Sequence, residues 1–121
     1  MCQSGRVVVA PFSVSTEPSG VPGSVLIVVA GEVDAHTADR VRSAVEAGIG
    51  PGTQVVVDLT DVTFMDSTGL GVFVTALKHL REQDGSLDLV ITSPRVMKVF
   101  ELTGLDVVIP IHEDRATALA R

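Results

Sequence analysis

The sequence predicts an α/β domain: a mixed sheet of four to five strands with about four helices mainly on one face. Three observations carry that expectation. Apolar, strand-like runs alternate with segments of helical periodicity along the 121 residues. The first two strand candidates are joined by a Pro- and Gly-rich loop, which makes an opening hairpin. Helices separate the later strands, and right-handed crossovers then make most of them parallel.

Residues 12–16 read as a strand that can extend back to Val7, and EPSGVPG (17–23) reads as a loop. SVLIVVAG (24–31) is an unbroken apolar run, expected as a strand buried on both faces. Residues 36–47 read as a helix, with Ala38, Val41, Val45 and Ile49 near helical spacing, broken by GIGPG (48–52). TQVVVDL (53–59) is a second buried strand, followed by TDVTFM (60–65) as a loop. The clearest helix spans 68–83, where Leu70, Phe73, Val74, Leu77 and Leu80 form one apolar stripe. Gly85 is placed as its C-terminal glycine. SLDLVIT (86–92) is a strand, and Pro94 suits the first turn of the next helix. Val96, Val99, Phe100 and Leu102 are expected to face inward there, with Gly104 ending the helix. A short strand at 107–111 and a helix at 113–120 complete the chain.

Composition narrows the function. At 121 residues the chain is one domain, with residues 1–9 a candidate flexible terminus. Four Phe, no Trp and no Tyr leave an aliphatic core. A single cysteine, Cys2, allows no internal disulfide and fits a reducing compartment. No apolar run approaches the roughly 20 residues that cross a bilayer, and no signal peptide is evident, so a cytoplasmic protein is expected. The net charge is −6 and no Lys/Arg cluster is present, which argues against a nucleic-acid binder. The acidic surface points instead to protein partners with basic patches.

The informative stretch is FMDSTGLG (64–71). Asp66 or Ser67 can cap the following helix. Gly69 and Gly71 cost that helix about 1 kcal/mol each against Ala. Two readings stand. Ser67 is a cap and the glycines serve packing, or Ser67 is presented to another protein beside bare backbone.

Sharper chemistry fails. A nucleophile elbow needs G-x-S-x-G, and Met65 stands in place of the first glycine. His36, His79 and His112 offer no sequence pairing with Ser67. A P-loop lysine is missing. Asp58 follows a buried strand, as in a receiver domain, but the accompanying acidic pair and lysine are absent. Glu32 and Asp34 in GEVDAHTA (31–38) lack a metal-ligand pattern and read as a strand end with capping. No cofactor is expected.

DLTDVTFMDSTGLGVFVTALK (58–78) closely resembles the phosphorylation segment of bacterial anti-sigma factor antagonists, the single-domain STAS proteins. GEVDAHTA resembles that family's segment before its first helix, and S-P-x-V (93–96) and L-T-G-L (102–105) its third-helix region. The resemblance spans roughly residues 10–120 and implies a STAS-like domain without catalytic activity of its own. It implies binding to an anti-sigma factor that is also a serine kinase of the histidine-kinase-like ATPase class, releasing the sigma factor. By that resemblance Ser67 is the phosphoacceptor, Asp66 positions or polarises its hydroxyl, and a PP2C-type phosphatase reverses the transfer. Glu32 and Asp34 would sit beside Ser67, and Thr68, Gly69, Leu70 and Gly71 would form the contact edge. A monomer is expected. The alternatives are a STAS module of another signalling assembly, a nucleotide-binding STAS domain, or an enzyme using Ser67 as nucleophile.

Overall fold

The computed structural model describes residues 11–120; the readings placed on Cys2, on Val7 and on residues 1–9 fall outside them. Strands β1 (Ser13–Glu17) and β2 (Ser24–Val33) form the expected hairpin. They are antiparallel, with Val14 opposite Val29 and Glu17 opposite Leu26. Helix α1 (Ala38–Gly48), strand β3 (Gln54–Met65), helix α2 (Ser67–Glu82), strand β4 (Ser86–Val90) and helix α3 (Pro94–Thr103) follow in strict alternation. A single turn, α4 (Leu105–Val108), a two-residue strand β5 (Ile111–His112) and a short helix α5 (Arg115–Leu119) complete the described chain. The sheet order is β1-β2-β3-β4-β5. All pairs after the hairpin are parallel, so the sheet is mixed, as expected.

The core explains why α1, α2 and α3 lie together. Val41 and Val45 of α1, Phe73, Ala76 and Leu80 of α2, and Val96 and Phe100 of α3 all join Ile27, Val29, Val55, Val57 and Leu89 in one buried cluster. The Phe73 and Phe100 rings meet with centroids 6.2 Å apart, filling the space between α2 and α3. His79 on α2 faces Glu46 on α1, with Nδ1 2.8 Å from Oε1. A smaller cluster of Leu26, Val56 and Val90 on the opposite face is covered by Ala118 and Leu119 of α5.

Four details depart from the sequence reading. TDVTFM is strand: β3 runs unbroken to Met65. The pairing shifts from Val28–Asp58 to Ala30–Asp61 and from Gly31–Val62 to Glu32–Phe64, so β3 carries an extra residue at each of two bulges. Residues 107–108 are helical turn, and Val107 is 84% exposed. Val74 and Leu102, placed inward by periodicity, are exposed on their helices. Finally, the left-handed residue after α2 is Asp84, at φ 59. Gly85 is needed for a different reason: a Cβ there would lie 2.5 Å from the Thr53 carbonyl oxygen.

The α5 face is fastened by polar ties. Buried Asp58 accepts from the Thr60 N–H and hydroxyl and from Arg115 Nε, and Arg115 also reaches Glu17 at 3.5 Å. Gln54 donates to Asp88 and to the Ala118 carbonyl, while His112 Nε2 lies 2.8 Å from Asp88. Burial pushes the Asp58 pKa up, but the Thr60 and Arg115 hydrogen bonds outweigh it and hold the carboxyl below its ordinary value. A depressed native pKa gives stability that is present above the unfolded value, near 3.8, and lost as pH falls through the native value. Asp58→Asn is therefore expected to flatten the loss of stability below about pH 4, read from urea midpoints at a series of pH values. An unchanged slope would remove Asp58 from the acid response.

Candidate functional site

The site is a corner where the ends of β2 and β3 meet the start of α2. Two contacts fix it. Glu32 and Val33 pair with Phe64 and Met65, and the Asp66 N–H donates to the Val33 carbonyl at 3.2 Å. Residues 32–33 and 64–66 are thus held side by side, directly before Asp34 and Ser67.

Asp66 decides between the two capping candidates. It is the N-cap of α2, and its Oδ1 accepts from the N–H groups of Thr68 at 2.9 Å and Gly69 at 3.1 Å. Ser67 is consequently the first helical residue, and it is exposed, as is Thr68. The cap has an electrostatic consequence. The positive end of α2 already carries a carboxylate, so an anion on Ser67 would meet Asp66 rather than two open N–H donors.

Asp34 works locally. Its Oδ1 accepts from the N–H groups of His36 at 2.8 Å and Thr37 at 3.3 Å. The Thr37 hydroxyl donates to the Glu32 carbonyl at 2.8 Å and accepts from the Asp34 N–H. This small network shapes the turn before α1 and does not cap it as the sequence suggested: Thr37 is the N-cap, and no side chain bonds to the first N–H groups of that helix. Glu32 is exposed and Asp34 half-buried. The exposed Ser67 thus stands at a corner whose paired segments also carry Glu32, Asp34 and Asp66.

The four residues expected at the contact edge divide. Thr68 and Gly71 are exposed, whereas Gly69 and Leu70 are buried. A Cβ on Gly69 would come within 2.8 Å of Met65 Cγ and 2.9 Å of Val33 Cγ1. This glycine is required by packing of α2 on the strand ends. At Gly71 a Cβ meets nothing within 4 Å, leaving the helix surface open. The packing reading therefore applies to Gly69 and not to Gly71. The structure also adds Phe64, 39% exposed at this corner, which a loop reading of 60–65 left without a direction. Among the described residues, no group of three or more His, Cys, Asp or Glu side chains is placed to hold a metal ion. No described helix is long and apolar enough to cross a membrane.

This α/β architecture, with its five-stranded mixed sheet, is that of a STAS domain, and the family model for the STAS domain matches residues 15–118. The chain belongs to the STAS-domain family. A Listeria monocytogenes relative, an anti-sigma-B factor antagonist, is 49% identical over 86 residues, 70% of this chain and 75% of that protein. An anti-sigma factor antagonist from Mycobacterium paratuberculosis superposes with a TM-score of 0.79 at 29% identity, covering 93% of this chain and 97% of that one. The Bacillus cell-fate determinant SpoIIAA, in its phosphorylated form, superposes with a TM-score of 0.65 at 26% identity, covering 92% of this chain and all of that one.

Proposed function

We propose that the protein is an anti-sigma factor antagonist whose binding is switched at Ser67. Unphosphorylated, it binds a serine-kinase anti-sigma factor of the histidine-kinase-like ATPase class and frees the sigma factor. Transfer of the ATP γ-phosphoryl to the Ser67 hydroxyl ends that binding, and a PP2C-type phosphatase hydrolyses the phosphoserine. The protein is then a substrate and a binding module, acting as a monomer in the cytoplasm, where transcription takes place. Glu32, Asp34 and Asp66 supply the acidic surround, while Thr68 and Gly71 supply the accessible helix edge.

One observation carries this reading: Ser67 is exposed at the first position of α2, with its backbone fixed by the Asp66 cap. A kinase needs a hydroxyl that is reachable and already oriented, because phosphoryl transfer depends on positioning. The names of the relatives, which describe regulators acting on anti-sigma factors, support it.

The test is an intact-mass spectrum of the protein from its native cells, growing and stressed, followed by site mapping. The expected result is one phosphoryl group on Ser67 whose occupancy changes with condition. A chain unmodified in every condition, or modified only at Thr68, would overturn the assignment.

A further inference from the structure

On the side of β3 away from β2, the sheet is incomplete. Only Gln54–Asp58 of β3 pair with β4, whereas β3 continues to Met65. Beyond Asp58 the strand has β2 along one side and, among the described residues, no backbone partner along the other. The chain leaves β4 at Val90 and turns into α3, whose start borders this open edge. The result is a groove of about 560 Å³, lined by residues 60–63 of β3, Ala30 of β2, and Ser93 and Arg95. Thr60, Thr63 and Arg95 are exposed and Ser93 is half-buried. Two charges stand here, and they differ in their surroundings. Asp61 is attracted to Arg115, the guanidinium that also bonds Asp58 and pairs with Glu17 on the α5 face. Arg95 makes no ion pair among the described residues.

We propose that the open edge of β3 is a docking site for an extended segment of another protein, which adds to the sheet as a strand in line with β4 and sets an Asp or Glu side chain on Arg95. Backbone chemistry selects the shape of that occupant. A strand edge offers N–H and C=O groups at strand spacing, and an extended chain answers them in series, whereas a helix has its own groups already paired. Arg95 selects the side chain. Its guanidinium is a planar fork that matches a carboxylate, and no carboxylate of the described chain takes it. The Ser93 hydroxyl accepts from the Val96 N–H at 3.4 Å, so its own proton is left to donate to the same carboxylate. The edge is short, ended by β4 and flanked by α3, so it admits a single segment and not the sheet of a second copy. The Ser67 corner is built on the β2 side of β3 and this groove on the other, and its occupant is defined without reference to the function proposed above.

The experiment selects a phage-displayed library of random peptides on the full-length chain, then titrates the enriched peptides by fluorescence polarisation. The expected peptides share an Asp or Glu among β-branched residues and lack Pro in the paired stretch. Bound peptide should slow amide hydrogen exchange within residues 60–64, read by NMR. Arg95→Glu should weaken binding by about tenfold while the melting temperature is kept. The peptide backbone supplies a second check that leaves the protein untouched. A strand turns alternate N–H groups to one neighbour, so methylating one alternate set of peptide nitrogens should weaken binding by about tenfold or more, and methylating the other set should not. No enriched peptide, or protection confined to other residues, would overturn the groove. Equal sensitivity to both methylated sets would overturn strand addition, and indifference to Arg95→Glu would overturn the acidic contact. Protection of residues 60–64 in a dimer formed without peptide would give the edge to a second copy and overturn the proposal as well.

Discussion

Phosphorylation of Ser67 is expected to weaken partner binding by about a thousandfold, while Ser67→Ala binds as tightly as the unmodified chain. The argument begins with what the partner must bring. A kinase that uses Ser67 as acceptor places a catalytic carboxylate against the hydroxyl to receive its proton. After transfer, that carboxylate faces a group of about −1.5 to −2 charges. At roughly 6 Å and an effective dielectric near 20, the repulsion is about 5 kcal/mol before screening. The protein offers little relief, because Asp66 already occupies the Thr68 and Gly69 N–H groups that would otherwise receive an anion. Ser67→Asp adds a single, shorter-reaching charge, so it should weaken binding less, by roughly a hundredfold. Titration calorimetry with the purified anti-sigma factor reads all three forms. Equal affinity for Ser67→Asp and wild type would sink the electrostatic account.

The second large effect separates the two glycines of α2. Gly69→Ala is expected to destabilise the fold by about 1–3 kcal/mol, the usual cost of overpacking a filled site. Its new methyl would press on Met65, Val33 and the Val33 carbonyl, at 2.8, 2.9 and 3.2 Å. Those groups also fasten the start of α2 to β2, so the loss should come with a disturbed Ser67 corner. Gly71→Ala meets nothing and gains helix propensity, so it should stabilise by up to about 1 kcal/mol. If the open surface at Gly71 serves a partner, the same variant binds more weakly although it is more stable. Urea unfolding of both variants provides the check, and equal behaviour would remove the distinction.

The elements that sequence reasoning placed well are those whose burial follows one period. The run 24–31, the helix beginning near Ser67 and the capped start at Pro94 were legible because one repeat fits each. The outer half of β3 was hidden for a physical reason. Two bulges put Leu59, Val62 and Met65 inward at a spacing of three, so the alternation that marks a strand is absent from TDVTFM. Val107 and Val108 misled in the other direction. Two β-branched residues suggest a strand, but Gly104, left-handed at φ 77, ends α3 and starts another helical turn. Asp84 took the left-handed position expected of Gly85, a substitution that Asp tolerates because its short polar side chain suits that conformation. At the site, the proximity of residues 32–34 to Ser67 was implied by resemblance alone. The strand pairing that creates it is long-range, and no local pattern in either segment encodes it.

The strands lie in space in the order in which they occur in the chain, and that arrangement bears on how the protein is made. Each strand joins a neighbour already synthesised, across one hairpin or one helical crossover, so no pairing waits for a distant segment. Loop-closure entropy is kept small at every step. The Ser67 corner needs only β2, β3 and the start of α2, all of which emerge from the ribosome before β4. The Ser67 corner is thus specified in the first two-thirds of the chain, and the last third, with α3 and the α5 ties, serves to close the sheet behind it.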